Sequence, residues 1–169
     1  MTKIIKLNDF LNLNISNKKK VLVTGCFDII HPGHKEFLEA ARKQGKILIV
    51  GLETDKRIKQ LKGKDRPVND EKKRLDNLAK LKIADFLFLL PEDFDKKNNH
   101  LVLLQLIKPS VLAVSSNSPH LKEKKKLVEK ISGTLFIFPL SPQYSTTKYC
   151  KRYDTFSTLE KMYECLKTG

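Results

Sequence analysis

Residues 21–41 read VLVTGCFDIIHPGHKEFLEAA. An apolar run, Val21–Val23, ends in Thr24-Gly25, and His31 and His34 then bracket Pro32-Gly33 ahead of a helical pattern. Proline suits the first turn of a helix, where its missing N–H would have no partner. The stretch therefore predicts a strand, a glycine turn and a helix starting near Pro32. Histidines three residues apart share one face of a helix. The free amides and the dipole at a helix N-terminus favour an anion. Two imidazoles beside them can donate to phosphate oxygens, and Gly33 removes a side chain where a ligand must come close. The stretch predicts a phosphate site.

Outward from it, apolar runs of strand length alternate with helical patterns. Strands are expected at Lys20–Thr24, Lys46–Gly51, Asp85–Leu90, Val111–Ser115 and Thr134–Phe138. Helices are expected near Pro32–Gln44, Lys56–Leu61, Glu71–Leu81, Lys96–Ile107 and Pro119–Ile131, and a last amphipathic one over 154–169. Asn69 or Asp70 caps the Glu71 helix. Asp9–Leu13 is expected as a short helix on the edge, within an N-terminal segment 1–19. Strands apolar on both faces, joined by helices, make a parallel sheet. Right-handed crossovers then give a doubly wound, five-stranded α/β sheet in three layers, α/β/α. Residues 1–169 are read as one domain. Ligands of such sheets bind beyond the carboxyl ends of the strands, where the strand order reverses.

Composition narrows the function classes. No apolar run approaches the ~20 residues of a membrane span. The N-terminus lacks a signal-peptide pattern, so a cytoplasmic location is expected. Cys26, Cys150 and Cys165 are too few and too scattered for a disulfide framework or a zinc site. His31 and His34 could share an ion, but no third ligand stands near them except Asp28, so no protein-bound metal is expected. The net charge of +14 favours polyanionic ligands. Lys18-Lys19-Lys20 and Lys122 with Lys124-Lys125-Lys126 read as solvated runs, without the interleaved aromatics that single-stranded nucleic acid needs.

Gly25-Cys26-Phe27-Asp28-Ile29-Ile30-His31-Pro32-Gly33-His34 resembles the signature of the cytidylyltransferase-like nucleotidylyltransferases. Gly51–Asp55 is similar to the segment closing that family's second strand. Leu61-Lys62-Gly63-Lys64-Asp65-Arg66-Pro67-Val68-Asn69, with Arg74, resembles the adenylyltransferases that make ADP-heptose. Ser145-Thr146-Thr147-Lys148 resembles the family's late helix start. The resemblance implies a Rossmann-like fold and transfer of a nucleotidyl group to a phosphorylated small molecule, releasing pyrophosphate with Mg2+. AMP is favoured over CMP and a sugar phosphate is the expected acceptor. It implies His31, His34 and Lys62 as catalytic residues. Gly25, Cys26, Phe27, Gly33, Arg66, Ser145, Thr146 and Thr147 would bind nucleotide. Asp28, Asp55, Arg74 and Asn117 would place the acceptor. It also implies a homodimer.

One turn departs from the pattern. The heptose branch carries Lys-Gly-Gly-Asp after its fourth strand, where this chain has Val114-Ser115-Ser116-Asn117. Serine puts a Cβ where a ligand would otherwise meet bare backbone. Alternatives are therefore a family member that binds nucleotide without transfer, an enzyme like glycerol-3-phosphate cytidylyltransferase, and a nucleic-acid-binding module on the basic surface.

Overall fold

The computed structural model describes residues 1–13, 15, 17–94 and 98–140. Among these, the strands are β1 (Lys3–Ile4), β2 (Lys20–Gly25), β3 (Ile47–Leu52), β4 (Phe86–Leu89), β5 (Val111–Ser115) and β6 (Thr134–Phe138). The helices are α1 (Pro32–Arg42), α2 (Asp55–Lys62), α3 (Glu71–Leu81), α4 (Asn99–Ile107) and α5 (Leu121–Glu129), with a 3-10 helix at Leu7–Asn12. The sheet is parallel, in the order β1-β4-β3-β2-β5-β6.

The sheet has six strands, not five. The extra one is β1, whose Lys3 and Ile4 pair with Phe86 and Leu87 on the β4 edge. Two residues are too few to show alternation, so only the tertiary pairing defines this strand. The predicted Asp9–Leu13 helix is the 3-10 turn, which buries Phe10 edge-on against Phe86 at 6.4 Å between ring centres.

Alternate residues of each central strand face opposite layers. Leu22, Ile49 and Phe88 pack with Phe10 and with Leu103, Leu104 and Ile107 of α4. Val21, Val23, Leu48 and Val50 pack with Phe37, Leu38 and Ala41 of α1 and with Leu75 and Leu78 of α3. The 3-10 helix, α4 and α5 thus cover one face, and α1 and α3 the other. The chain runs β2, β3, β4 toward one edge and then returns to lay β5 on the other side of β2. The reversal therefore falls between the ends of β2 and β5, at Gly25 and Ser115.

Gly45, where α1 hands over to β3, is required by close packing. A Cβ there would stand 2.7 Å from the Lys19 carbonyl oxygen. Lys20 is not part of a solvated run: it is the first residue of β2 and only 7% exposed. Burial, with Lys108 nearby, lowers its pKa. No helix among the described residues is long and apolar enough to cross a membrane. The expected helix over 154–169 lies outside them.

Candidate active site

The turn after β2 carries the strongest local constraint. Phe27 adopts a positive φ of 45°. Its buried ring lies where a side chain on Gly25 would be, 3.0 Å from that position, and 5.2 Å from the His34 ring. Phe27 is thus a wedge beneath the histidines. His31 is the extended residue that opens α1, and its carbonyl accepts the His34 amide at 2.9 Å. The two rings stack with centres 3.8 Å apart and planes 25° from parallel. The predicted shared face is therefore present.

Both rings are held neutral. Burial lowers the His31 pKa. The His34 pKa is pushed down to about 3, first by burial, then by His31 and Lys62, with the Ile29 backbone opposing. An anion docked against the pair would reverse the sign of the local field and favour protonation. Without one, an unfolded histidine binds its proton near pH 6.5, whereas folded His34 holds it off until about pH 3. Between these values the unfolded chain carries the extra proton, so stability rises with pH. Acidification from pH 7 to 4.5 should therefore cost this site about 2 kcal/mol. Thermal melts of the native protein and of His34→Gln should show the variant losing part of that drop. Parallel pH profiles would refute the assignment.

Asp28 is 1% exposed and faces inward. Its carboxylate accepts the Val68 amide at 3.0 Å and the Asn69 amide at 2.9 Å, and it pairs with Arg66 at 2.7 Å. The Asp28 carbonyl accepts the Asn69 side-chain amide at 2.8 Å. Asp28 and Arg66 thus fasten the segment after Gly63 to the histidine turn. Asp70, not Asn69, caps α3, accepting the Lys73 amide at 2.7 Å.

Arg74 has no exposed surface. It donates to the carbonyls of Cys26 and Glu53, both at 2.7 Å, and of Asn69 at 3.1 Å, and to Asp55 Oδ1 at 2.8 Å. One guanidinium ties together the ends of β2 and β3, the start of α2 and the entry to α3. Asp55 is engaged with it, while its own amide donates to Glu71. The contacts of Asp28, Asp55 and Arg74 are those of a scaffold under the site.

Lys62 ends α2, before Gly63 at φ 96°. It lies beside Cys26 and close enough to His34 to repel its proton. Lys62 and Cys26 also line an open cleft of about 620 Å³ across the β2–β5 reversal, with Gly25, Arg57, Ser115, Asn117 and Lys124. Burial is the main cause of the raised Cys26 pKa, against a smaller opposing pull from Lys62. The thiol is thus a poor nucleophile. In the altered turn, Ser115 Oγ donates to Asn117 Oδ1 at 2.7 Å. Ser116 Oγ accepts the Leu140 amide at 3.1 Å. Both hydroxyls are therefore engaged near the turn itself. Gly33 is buried in the first turn of α1. Ser145, Thr146 and Thr147 lie outside the described residues.

Two features escaped the sequence reading. Arg57 and Glu53 form a pair at 2.7 Å, each with little exposed side chain, on the cleft wall. Lys122, Lys125 and Lys126 are exposed as a solvated run should be, but Lys124 is half-buried. Helical spacing carried the signal, since Lys124 shares a face with Leu121, Leu127 and Val128.

Residues 22–158 match the family model described as cytidylyltransferase-like, and the chain belongs to that family. Among curated relatives, the Bifunctional protein HldE of Campylobacter fetus subsp. fetus is 42% identical over 110 residues, 65% of this chain and 23% of that protein. Its counterpart from Campylobacter jejuni strain RM1221 is 34% identical over 151 residues, 89% of this chain and 31% of that protein. The chain spans about a quarter to a third of the length of these relatives. Among solved structures, the lipopolysaccharide core biosynthesis protein from Thermoplasma volcanium GSS1 superposes with a TM-score of 0.60 at 27% identity, covering 74% of this chain and 98% of that one. The pantoate-beta-alanine ligase from Francisella tularensis reaches a TM-score of 0.60 at 16% identity, over 99% of this chain and 86% of that one, a likeness of fold alone.

Proposed function

We propose that this chain is a nucleotidylyltransferase that moves a nucleotidyl group, AMP in preference to CMP, from a nucleoside triphosphate to a sugar phosphate. The observation that carries the reading is the stacked His31–His34 pair, opening α1 at the strand reversal close to Lys62, which also lines the open cleft at the strand ends. The likeness to a lipopolysaccharide core biosynthesis protein and to the HldE relatives supports a sugar phosphate as acceptor. Residues 1–169 are read as one domain carrying this activity.

An oxygen of the acceptor phosphate attacks the α-phosphorus. The bond from that phosphorus to the bridging oxygen breaks, and pyrophosphate leaves. The attacking group is already an anion, so no strong base is needed. The protein's work is positioning and charge stabilisation. His31 and His34 donate to the phosphate oxygens, with the α1 amides behind them. Lys62 adds a cation as charge moves to the leaving group, and Gly25 lets the phosphates approach. Ser145, Thr146 and Thr147 are read as further donors.

Among the described residues, no group of three or more His, Cys, Asp or Glu is placed to hold a metal ion. Magnesium would enter with the nucleoside triphosphate, chelated by its phosphates.

The test compares ATP, CTP, GTP and UTP, each with magnesium, by thermal shift. A pyrophosphate-release screen of sugar phosphates and polyol phosphates follows. ATP should give the largest shift, and a sugar phosphate should release pyrophosphate. Stabilisation by ATP with no release from any acceptor would favour the reading of a binder without transfer.

A further inference from the structure

We propose that the end of the sheet opposite the candidate active site is a docking surface for an anionic lipid bilayer. Docking there is independent of the transfer reading, because its readout is adsorption to vesicles.

The candidate site lies where the strands end, at Gly25 and Ser115. The six residues of β2 put the strand starts about 17 Å away from it. In sheet order, exposed lysine precedes each start from β4 to β6. These are Lys82 before β4, Lys46 before β3, Lys18 and Lys19 before β2, Lys108 before β5 and Lys130 before β6. Backbone bonds hold the starts side by side. The Lys46 and Ile47 amides donate to the Lys19 carbonyl, Ser110 to Lys20 and Thr134 to Ser110. Neighbouring strands are about 4.8 Å apart, so the row is about 19 Å long. Burial first, and then the Lys108 charge, lower the pKa of Lys20 beneath it.

The row is uncompensated. Among the described residues, none of these lysines has a carboxylate within 4.0 Å. The carboxylates that adjoin them in sequence are engaged elsewhere: Asp85 with Arg42 at 3.7 Å and Glu129 with Lys125 at 4.0 Å. Lys82, Lys108 and Lys130 cap the C-termini of α3, α4 and α5, where the helix dipole favours a cation. That accounts for these three taken singly. It does not account for Lys18, Lys19 and Lys46, which precede strands. Nor does it account for lysine at φ 56° in Lys82 and 48° in Lys108. Glycine or asparagine would sit there with less strain and close the helix as well.

The chemistry of the row favours a lipid surface. Helix C-termini present carbonyls, so this end offers few backbone donors to a single bound phosphate. The positive charge is carried on the ends of flexible stems. Nucleic-acid surfaces favour arginine, whose planar fork pairs with phosphate and guanine. Here Arg42 is engaged with Asp85, and the cations of the row are all lysine. A cluster of about four to eight basic residues suffices to draw a protein to an anionic leaflet. Screening at physiological salt acts over about 8 Å, so neighbouring lysines in the row act on the leaflet together. Docked this way, the candidate site faces away from the bilayer and stays open to soluble substrates.

Sedimentation with large vesicles tests this on the full chain. One set is phosphatidylcholine alone, and in the other about a third of the lipid is phosphatidylglycerol. The native protein should adsorb to the second set and not the first, and raising NaCl from about 0.1 to 0.5 M should release it. Lys46→Gln/Lys82→Gln/Lys108→Gln/Lys130→Gln should weaken adsorption at least about thirtyfold. Lys59→Gln/Lys72→Gln/Lys73→Gln/Lys122→Gln removes the same charge from exposed positions elsewhere and should stay within about threefold of native. Lys82→Gly/Lys108→Gly relieves the two left-handed caps. It should melt no lower than native yet adsorb at least about fivefold more weakly, which separates lost docking from lost folding. The proposal is overturned if the native protein ignores the phosphatidylglycerol vesicles, or if the two quadruple variants lose adsorption equally. Tighter binding to a duplex oligonucleotide than to those vesicles at the same salt would overturn it too.

Discussion

The double variant His31→Ala/His34→Ala is expected to lower kcat/KM for pyrophosphate release by at least about a thousandfold. Removing a single preorganised donor to a transition-state oxyanion commonly costs a hundred- to a thousandfold. Here two rings stand 3.8 Å apart and stack on each other. Each holds the other in place, so either single variant should lose nearly as much as the double one. The scaffold should survive the change. Asp28 and Arg74 fasten the surrounding turn through bonds that involve neither ring. Loss of two desolvated imidazoles also removes a liability at acid pH. The measurement is steady-state pyrophosphate release beside a thermal melt. A double variant that folds and keeps activity within tenfold of native would exclude the histidines from the phosphate site.

The second large effect is structural. Arg74→Met should lower the unfolding free energy by about 3–4 kcal/mol, because three backbone carbonyls and Asp55 lose a buried charged donor together. For a domain of this size that corresponds to a fall in melting temperature of about 10 °C. Arg74→Lys should rescue little. An ammonium is a point donor and cannot span the Cys26, Glu53 and Asn69 carbonyls as the planar guanidinium does. Chemical denaturation reads both variants. A loss below about 1 kcal/mol would show that water or neighbouring groups replace the clasp. Near-native stability with lost turnover would move Arg74 from the scaffold to the substrate.

Much of this architecture is legible in the chain. The runs Val21–Val23, Ile47–Val50 and Val111–Val114 are apolar throughout because both faces of their strands are covered. The α3 boundaries follow from Asp70 and from the Leu75 and Leu78 spacing. The histidine face follows from Pro32 and a three-residue interval. Two-residue β1 is not legible, since its strand character comes from the β4 edge it meets. Asp28 and Arg74 are visible as polar residues of a motif, yet their partners lie up to 48 residues away. Only the fold shows that their groups are engaged with backbone and not with solvent. Lys124 sits inside a lysine run whose composition says surface, while its helical face says core.

The sequence by itself therefore determined the doubly wound sheet, the glycine turn and the paired histidines at a helix start. These depend on local periodicity, on proline and glycine backbone preferences and on spacing within one turn. The tertiary structure alone decided which charged groups are scaffold and which face the cleft. A charged side chain's role depends on what surrounds it after burial. In this chain those surroundings come from β2, β3, β5, α2, α3 and α5, brought together only at the strand ends.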